Sequence, residues 1–320
     1  MNSTINSVSE ISVLVPSYNH ALFVERTLRS IFAQDLQPKK MIVIDDGSKD
    51  ESVKIIERVL QDCPFENEFI FRENRGLCAT LNEGFAKTNG EFFAYLGSDD
   101  IWLPEFLEKQ IKLLNKRPEA VLTFGHAFWI DEEDRIISCT KDWTTFADGD
   151  MLPLLLRGVI FSSPGVVYRR AALEKHKWNE NSLLEDYELY LKLAIEGEFA
   201  RSQEVLCAWR IHGANTSDNT PLMLDEWIAA QNRVADKLNI SRKELEKIQM
   251  ELKFNSVFNF VRQGRRHEAV KLFQENLGGA KSVAQIAKML FRLAVPQTLF
   301  QWNKRRKRQK AIQKYGKLEI

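Results

Sequence analysis

Two adjacent carboxylates, Asp99 and Asp100, stand at the end of an apolar run that begins near Glu91. Pro104 follows four residues later and can open a helix. This order predicts a buried strand that carries negative charge to the rim of an open α/β sheet, where such sheets bind their ligands. Two carboxylates at a rim suit a divalent cation, and a bound cation suits a substrate that carries phosphate.

The two carboxylates are expected to make different contacts. Adjacent residues of an extended chain point to opposite faces, so one of Asp99 and Asp100 would bind the metal. The other would contact a sugar hydroxyl, a water molecule or a loop amide. A structural alternative stays open, because Asp is also favoured as the N-cap of a helix.

A second acidic pair, Asp45 and Asp46, is followed by Gly47 and Ser48. A carboxylate at this place could accept a hydrogen bond from an N–H group of a nucleobase. Asp-Gly is also a strong turn signal, so a strand-to-helix turn capped by Ser48 explains the same residues.

Glu185, Asp186 and His212 are the remaining candidates for chemistry. A carboxylate at the predicted start of a helix can act as a general base that takes a proton from an acceptor hydroxyl. It also interacts favourably with the helix dipole without any catalytic role. The imidazole of His212 is a good ligand for a divalent metal such as Mn²⁺, although a single His is more often structural or merely exposed.

The elements that position these residues alternate between strand and helix four times over residues 11–100. Short apolar runs at 11–15, 41–44 and 69–71 predict strands, and helical patterns separate them. This alternation predicts an α/β fold with a largely parallel sheet and helices on both faces. The polar clusters that follow the strands would then lie along one edge. Neither a dinucleotide fingerprint nor a P-loop is present, so phosphate would be bound by metal or side chains.

The second half of the chain changes character near residue 220. Further strands are predicted at 120–130 and 205–210, after which long helical patterns replace the strands. We therefore expect a main domain of residues 1–218 and a helical C-terminal region of residues 219–320.

The composition limits the class of protein. The chain has 320 residues, of which 44% are hydrophobic, and a net charge of +1, so it can form a sizeable core and is not basic overall. The four cysteines lack the spacing of metal sites, which predicts free thiols in a reducing compartment. No secretion signal or membrane-spanning run is recognised, so we expect a cytoplasmic location, at most peripheral to a membrane.

Six short segments, in this order, resemble the motifs of family 2 glycosyltransferases, which have the GT-A fold. The resemblance covers about residues 10–217, and the order of the motifs makes it specific. The segments are Val13–Asn19, Ile44–Ser48, Asn74–Gly76, Leu96–Asp100, Glu185–Glu188 and Arg210–Gly213.

On the donor side, the resemblance implies that Pro16, Tyr18 and Asp46 hold the nucleotide base. Members of the family often carry an Arg-Asn pair in the third helix, where this chain has Leu81 and Asn82. Arg75 is therefore expected to supply the positive charge near the nucleotide.

On the metal side, the resemblance implies that Asp99 and Asp100 bind the ribose and a divalent metal, Mn or Mg. His212 would complete the metal or diphosphate site, and Asp186 would be the catalytic base. Family members often have a further carboxylate where this chain has Gly97, so coordination would rest on Asp99, with Asp100.

The resulting prediction is an inverting, metal-dependent glycosyltransferase. It would move a sugar from a nucleotide-diphospho-sugar, with a UDP-sugar favoured, to a hydroxyl of a glycan or polyprenyl-linked acceptor in surface polysaccharide synthesis. The aromatic residues Phe128, Trp129 and Trp143 would line an acceptor groove, or else pack in the core. The alternative function is a non-catalytic relative that binds a sugar nucleotide or a glycan, which Gly97 favours.

The C-terminal tail has a different pattern. An apolar stretch with Phe291 and Trp302 precedes the basic block Lys304–Arg308. Such a segment is typical of an interfacial helix on anionic lipid, so residues 290–317 are expected to contact a membrane surface. A solvated helix end packed on the domain remains the alternative. Nucleic acid is not an expected partner, because the rest of the chain is not basic.

Overall fold

The computed structural model describes residues 10–159, 161–213 and 219–319. The N-terminal residues 1–9, on which the absence of a secretion signal rests, lie outside these ranges. So do most of the loop after His212 and the predicted boundary at residue 218.

The strand β1 (Ile11–Ser17) lies inside the parallel part of the sheet, and all of its residues are buried. A strand that is covered on both faces has a continuous apolar run rather than an alternating pattern, so the sequence predicts it clearly. The other strands, in chain order, are β2 (Lys40–Asp45), β3 (Asn67–Phe71), β4 (Phe92–Tyr95), β5 (Ile101–Trp102), β6 (Ala120–Ile130), β7 (Ile136–Cys139), β8 (Val167–Arg169) and β9 (Glu198–Arg210).

Within the described residues these strands form one sheet in the order β3-β2-β1-β4-β8-β6-β9-β5, and β7 pairs with β6 beside this path. β1 to β4 pair in parallel, β8 is antiparallel to β4 and β6, and β9 is parallel to β6. The C-terminal ends of β1, β2, β3 and β4 therefore meet at one edge. The predicted α/β fold, with a mixed sheet flanked by helices, is confirmed.

Helices cover both faces of the sheet. α1, α2 and α4 pack in one apolar cluster around Val13 and Val15, while α3 and α7 pack in another around Leu14. Among the described residues, no helix has the length and apolar character needed to cross a bilayer. The helices are α1 (Val24–Phe32), α2 (Ser52–Leu60), α3 (Leu77–Ala86), α4 (Phe106–Lys116), α5 (Leu152–Leu155), α6 (Arg170–Leu173), α7 (Tyr187–Glu196), α8 (Thr220–Arg233), α9 (Arg242–Arg262), α10 (Arg266–Glu275), α11 (Val283–Ala294) and α12 (Gln297–Tyr315).

The first helices of the C-terminal region share the core of the sheet. The side chain of Gln231 on α8 donates a hydrogen bond to the hydroxyl of Tyr187 on α7, at 2.8 Å. Ile248 on α9 belongs to the same apolar cluster as Tyr187. Ser241 caps α9, since its hydroxyl accepts a hydrogen bond from the amide of Glu244 at 3.2 Å.

The chain returns to the sheet after α12. The amide of Ile136 on β7 donates to the carbonyl of Gly316 at 3.0 Å, and the amide of Leu318 donates to the carbonyl of Asp134 at 2.9 Å. Arg26 of α1 donates to the carbonyl of Leu318 at 2.6 Å. The last described residues therefore close over the turn between β6 and β7.

Candidate active site

The carboxylate that ends β2 holds the sheet edge together. Asp45 is fully buried and accepts hydrogen bonds from the hydroxyls of Ser17 at 3.0 Å and Ser48 at 2.7 Å. It also accepts one from the amide of Ser48 at 2.8 Å. Asp45 thus ties β2 to β1 and fixes the turn that presents Asp46.

Asp46, predicted to hold the nucleotide base, lies against the loop that follows β3. Its Oδ1 accepts a hydrogen bond from the amide of Arg75 at 2.9 Å, and its Oδ2 accepts one from the amide of Gly76 at 2.7 Å. The guanidinium of Arg72 forms an ion pair with the same carboxylate. Asp46 therefore anchors this loop at the edge where the strands end.

The other residues predicted on the donor side differ in exposure. Tyr18 is 46% exposed just beyond β1, so its ring is open to a stacking partner, whereas Pro16 is buried within β1. The guanidinium of Arg75 is exposed and pairs with Glu83 at 3.2 Å. The positive charge next to Asp46 comes from Arg72, which is largely buried.

Three side chains at the strand ends could hold a metal ion: His20, Asp99 and His212. One donor atom from each of them lies within 4.8 Å of the donor atoms of the other two. Asp99 Oδ2 is 2.9 Å from His212 Nε2, and Asp99 Oδ1 is 3.8 Å from His20 Nδ1. Two imidazoles and a carboxylate suit Mn²⁺ and similar ions. The set therefore fits the divalent metal that the sequence predicts.

The protonation states of this cluster suit a cation. Burial lowers the pKa of His20, against the opposing charge of Asp99, which favours the neutral imidazole near pH 7. Its Nδ1 is 2.8 Å from the hydroxyl oxygen of Ser98. Burial disfavours ionisation of Asp99, but its hydrogen bond with His212 helps to hold its pKa below the usual range. A neutral imidazole and an ionised carboxylate are the forms that bind metal.

Gly97 occupies the position where family members often carry a carboxylate. A Cβ atom at this position would stand 2.9 Å from Asp99 Oδ1, which is too close for a side chain to fit without movement. The glycine therefore gives the carboxylate of Asp99 the room to face the two histidines, and His20 adds a donor that the sequence analysis did not include.

Asp100, predicted as a metal ligand, lies apart from this cluster. Its Oδ1 accepts a hydrogen bond from the amide of Arg210 at 2.8 Å. Burial, with the charge of Asp99, raises the pKa of Asp100 well above its usual value. The adjacent carboxylates thus have different contacts, with Asp99 toward the histidines and Asp100 toward a backbone amide.

Arg210 is the buried cation beneath the acidic pair. Its Nε donates to the carbonyl of Asp99 at 2.8 Å, and its Nη1 donates to the carbonyl of Asp131 at 2.6 Å. Its Nη2 pairs with the carboxylate of Asp134 at 2.6 Å. One side chain therefore links the end of β9, the backbone at Asp99 and the turn between β6 and β7.

Asp186 precedes α7 and lies at the same edge. The hydroxyl of Tyr95, the last residue of β4, donates to Glu185 Oε1 at 3.3 Å and so brings the start of α7 to the end of β4. Burial and the neighbouring charge of Glu185 raise the pKa of Asp186 to about 8. A carboxyl group with a pKa near neutrality is suited to general-base catalysis.

The aromatic residues predicted for an acceptor groove fall into two groups. Phe128 packs against Tyr315, with ring centroids 5.3 Å apart. Trp129 lies edge-on to Trp143 at 5.5 Å and to Trp209 at 5.4 Å, and Trp143 is 57% exposed. Trp129 and Trp143 therefore lie in a partly exposed group, whereas Phe128 serves packing.

Two residues of the site were not predicted, His20 and Arg72. Arg72 comes directly after the strand predicted at 69–71, and His20 comes five residues after the strand predicted at 11–15, at the edge where the other candidates were placed. Their positions at strand ends were the available signal, since neither belongs to a periodic pattern.

The parallel strands end in acidic residues at one edge of the sheet. The candidate metal cluster and Asp186, which precedes α7, lie at this edge. This arrangement is that of a glycosyltransferase of the GT-A type. The pattern of glycosyl transferase family 2 matches residues 12–177, and the chain belongs to this family. An uncharacterized glycosyltransferase of Nostoc sp. is 31% identical over 216 residues, which span 64% of this chain and 66% of that relative.

Solved structures have the same fold. A mannosyltransferase of Pyrobaculum calidifontis, in complex with GDP-Man and Mn²⁺, has a TM-score of 0.63 at 17% identity, over 95% of this chain and 86% of that one. A structure of residues 1–349 of TarS of S. aureus, in complex with UDP-GlcNAc, has a TM-score of 0.62 at 17% identity, over 97% of this chain and 93% of that one. The likeness establishes the GT-A fold, and family membership identifies an enzyme that transfers glycosyl groups.

Proposed function

We propose that the protein is an inverting, metal-dependent glycosyltransferase. It uses a nucleotide-diphospho-sugar, with a UDP-sugar favoured, and a hydroxyl of a glycan or polyprenyl-linked acceptor in surface polysaccharide synthesis. Catalysis is assigned to residues 1–218, and residues 219–320 form a helical C-terminal region. Residues 290–317 of this region bring the enzyme to the cytoplasmic face of a membrane. The observation that carries the proposal is the cluster of His20, Asp99 and His212 at the sheet edge that also holds Asp186.

Each part of this edge has a task in the proposed reaction. Tyr18 offers a ring face to the nucleotide base, and Asp46 holds the loop beside it in place. His20, Asp99 and His212 would bind Mn²⁺ or Mg²⁺, which neutralises charge on the departing diphosphate when it is bound. Asp186 takes the proton from the acceptor hydroxyl. A single displacement from the opposite face of the sugar inverts the anomeric configuration.

We expect removal of divalent metal to abolish transfer. The test is nucleotide release from a set of UDP- and GDP-sugars with Mn²⁺ or Mg²⁺, repeated after chelation and after metal is restored. His20→Ala and Asp99→Asn should weaken Mn²⁺ binding by at least tenfold, since loss of even a hydrogen-bond partner of a metal ligand costs roughly 10–100-fold in metal affinity. Asp225→Asn, which removes an exposed carboxylate on α8, is the matched control.

Two results would contradict the metal assignment: full activity in chelator, and unchanged Mn²⁺ affinity in both variants. Absence of nucleotide release with every donor, together with tight donor binding, would instead favour the non-catalytic relative. The two functions are thus separated by one set of measurements.

The rate of transfer should fall as the pH drops below about 8. Burial and the charge of Glu185 raise the pKa of Asp186 to about 8, and a general base acts only in its unprotonated form. An ordinary Asp would place this acidic limb near pH 4. Measurement of kcat from about pH 5 to pH 9 at saturating donor tests the prediction, and a rate that is constant down to pH 5 would contradict it.

A further inference from the structure

The excess of positive charge in the chain is concentrated near its C-terminus. Residues 277–318 contain eleven Lys and Arg residues and no Asp or Glu, which is a charge of +11. Because the whole chain has a net charge of +1, the remaining residues carry −10. A molecule with such opposed charges is oriented when it meets an anionic surface.

Most of these cations lie on α12, where residues 301–310 are all exposed. Arg308 pairs with Asp131 at 2.6 Å and Lys314 pairs with Asp142 at 2.8 Å, so the helix is attached to the sheet domain near its C-terminal end. The other five cations of α12 have no ion-pair partner among the described residues. They are Lys304, Arg305, Arg306, Lys307 and Lys310.

The preceding helix, α11, is apolar on two sides. Its packed side places Met289, which is buried, against the core of the helical region, beside Ile286 and Leu293. Its other side exposes Phe291 by 70% and Leu290 by 51%. A surface helix of a globular protein usually carries polar residues opposite its packed side, so exposed apolar residues there are unusual.

The exposed apolar surface continues across Pro296 onto α12. Leu299 is 53% exposed and Trp302 is 59% exposed, immediately before the basic block. Exposed Leu, Phe and Trp next to clustered Lys and Arg are the composition of a helix that lies in a membrane interface.

We propose that α11 and α12 bind the surface of a bilayer that contains anionic lipid. The exposed side of α11, with Leu299 and Trp302, contacts the boundary of the acyl chains, and the five unpaired cations contact the head groups. The proposal deepens the proposed function, on which it rests for the lipid-linked nature of the acceptor.

A bilayer fits these features better than a nucleic acid does. Phosphodiester binding requires cations but no row of exposed aliphatic and aromatic side chains beside them. A charge of −10 on the rest of the chain would also oppose wrapping by a polyanion, whereas a planar surface contacts one side of the molecule.

The binding surface and the active site share one structural element, the turn between β6 and β7. Asp131 in this turn pairs with Arg308 of α12 through its carboxylate, and its carbonyl accepts a hydrogen bond from Arg210. Arg210 in turn donates to the carbonyl of Asp99. These contacts connect the site where α12 is attached to the backbone of Asp99, which belongs to the candidate metal cluster.

Vesicle flotation with the full chain tests the proposal. We expect the protein to float with vesicles of phosphatidylcholine and phosphatidylglycerol, and to remain unbound with phosphatidylcholine alone or at high salt. Lys304→Gln, Arg305→Gln and Lys307→Gln together should weaken binding on the order of a hundredfold, since each basic residue at such a surface contributes about fivefold. Phe291→Ser with Trp302→Ser should weaken it without changing the charge.

The matched control removes the same number of exposed cations from the start of α9: Arg242→Gln, Lys243→Gln and Lys247→Gln. This control should bind vesicles like the unaltered protein. Equal loss of binding in the control and in the α12 variant would overturn the proposal, as would binding to neutral vesicles or binding to an RNA oligomer without any binding to vesicles. Flotation does not require transfer, so a failed lipid test leaves the transferase proposal standing, and the reverse also holds.

Discussion

Replacement of Asp186 by Asn is expected to lower kcat by roughly 10²–10⁴-fold, the usual contribution of a general base. The amide keeps the size of the side chain but cannot take the proton of the acceptor hydroxyl. Nucleotide-sugar binding should be retained, because the donor contacts proposed above come from the ends of β1, β2 and β4. Single-turnover transfer and calorimetric titration of the donor with Mn²⁺ measure the two effects separately.

The neighbouring carboxylate provides the sharpest control for this experiment. Glu185 accepts a hydrogen bond from the hydroxyl of Tyr95, so its placement indicates a positioning role. Glu185→Gln should leave more activity than Asp186→Asn. It should also move the acidic limb of the rate to lower pH, because the charge of Glu185 raises the pKa of Asp186. A fully active Asp186→Asn protein, or an inactive Glu185→Gln protein beside it, would transfer the role of base to another group.

The strand ends were predictable because the strands are buried on both faces. Such strands have continuous apolar runs, so the polar residues that follow them stand out in the sequence, as Asp45, Asp99 and Asp100 do. The contact between Asp99 and His212 was implied by the family resemblance alone. No local pattern connects two residues that lie 113 positions apart.

In α2, a polar contact changes which residues of the helix are buried. The sequence places apolar residues at the spacing of one helical side, namely Val53, Ile56 and Leu60. The structure instead fully buries Ser52 with Ile56, and Val59 almost completely. The hydroxyl of Ser52 accepts a hydrogen bond from the amide of His20 at 3.0 Å, so a serine is buried because it holds the loop of a candidate metal ligand.

The exposed side of α11 could not be predicted from the sequence for a different reason. An apolar stretch in the sequence does not reveal how much of it the fold will cover. Only the packing of Met289 against the helical core shows that Leu290 and Phe291 remain outside. The burial of Arg210 is similarly a property of tertiary contacts, because its carboxylate partner, Asp134, is 76 residues away.

Arg210→Gln is expected to destabilise the protein by about 3–5 kcal/mol, the cost of removing one partner from a buried ion pair. The guanidinium is 1% exposed. Its loss would leave the negative charge of Asp134 less well neutralised in a buried site. It would also remove the donors to the carbonyls of Asp99 and Asp131. Urea unfolding followed by circular dichroism measures the change in the free energy of unfolding.

Arg26→Gln is the matched control, since Arg26 binds the other oxygen of the same carboxylate at 2.9 Å but is 36% exposed. A partly exposed pair of this kind is worth about 1 kcal/mol or less. If Arg210→Gln fails to fold, Arg210→Lys retains the charge beside Asp134 but cannot donate in three directions. This variant should bind Mn²⁺ more weakly than the Arg26→Gln protein, because the backbone of Asp99 is no longer held. Equal unfolding free energies for Arg26→Gln and Arg210→Gln, or unchanged Mn²⁺ affinity in Arg210→Lys, would show that Arg210 does not position the metal cluster.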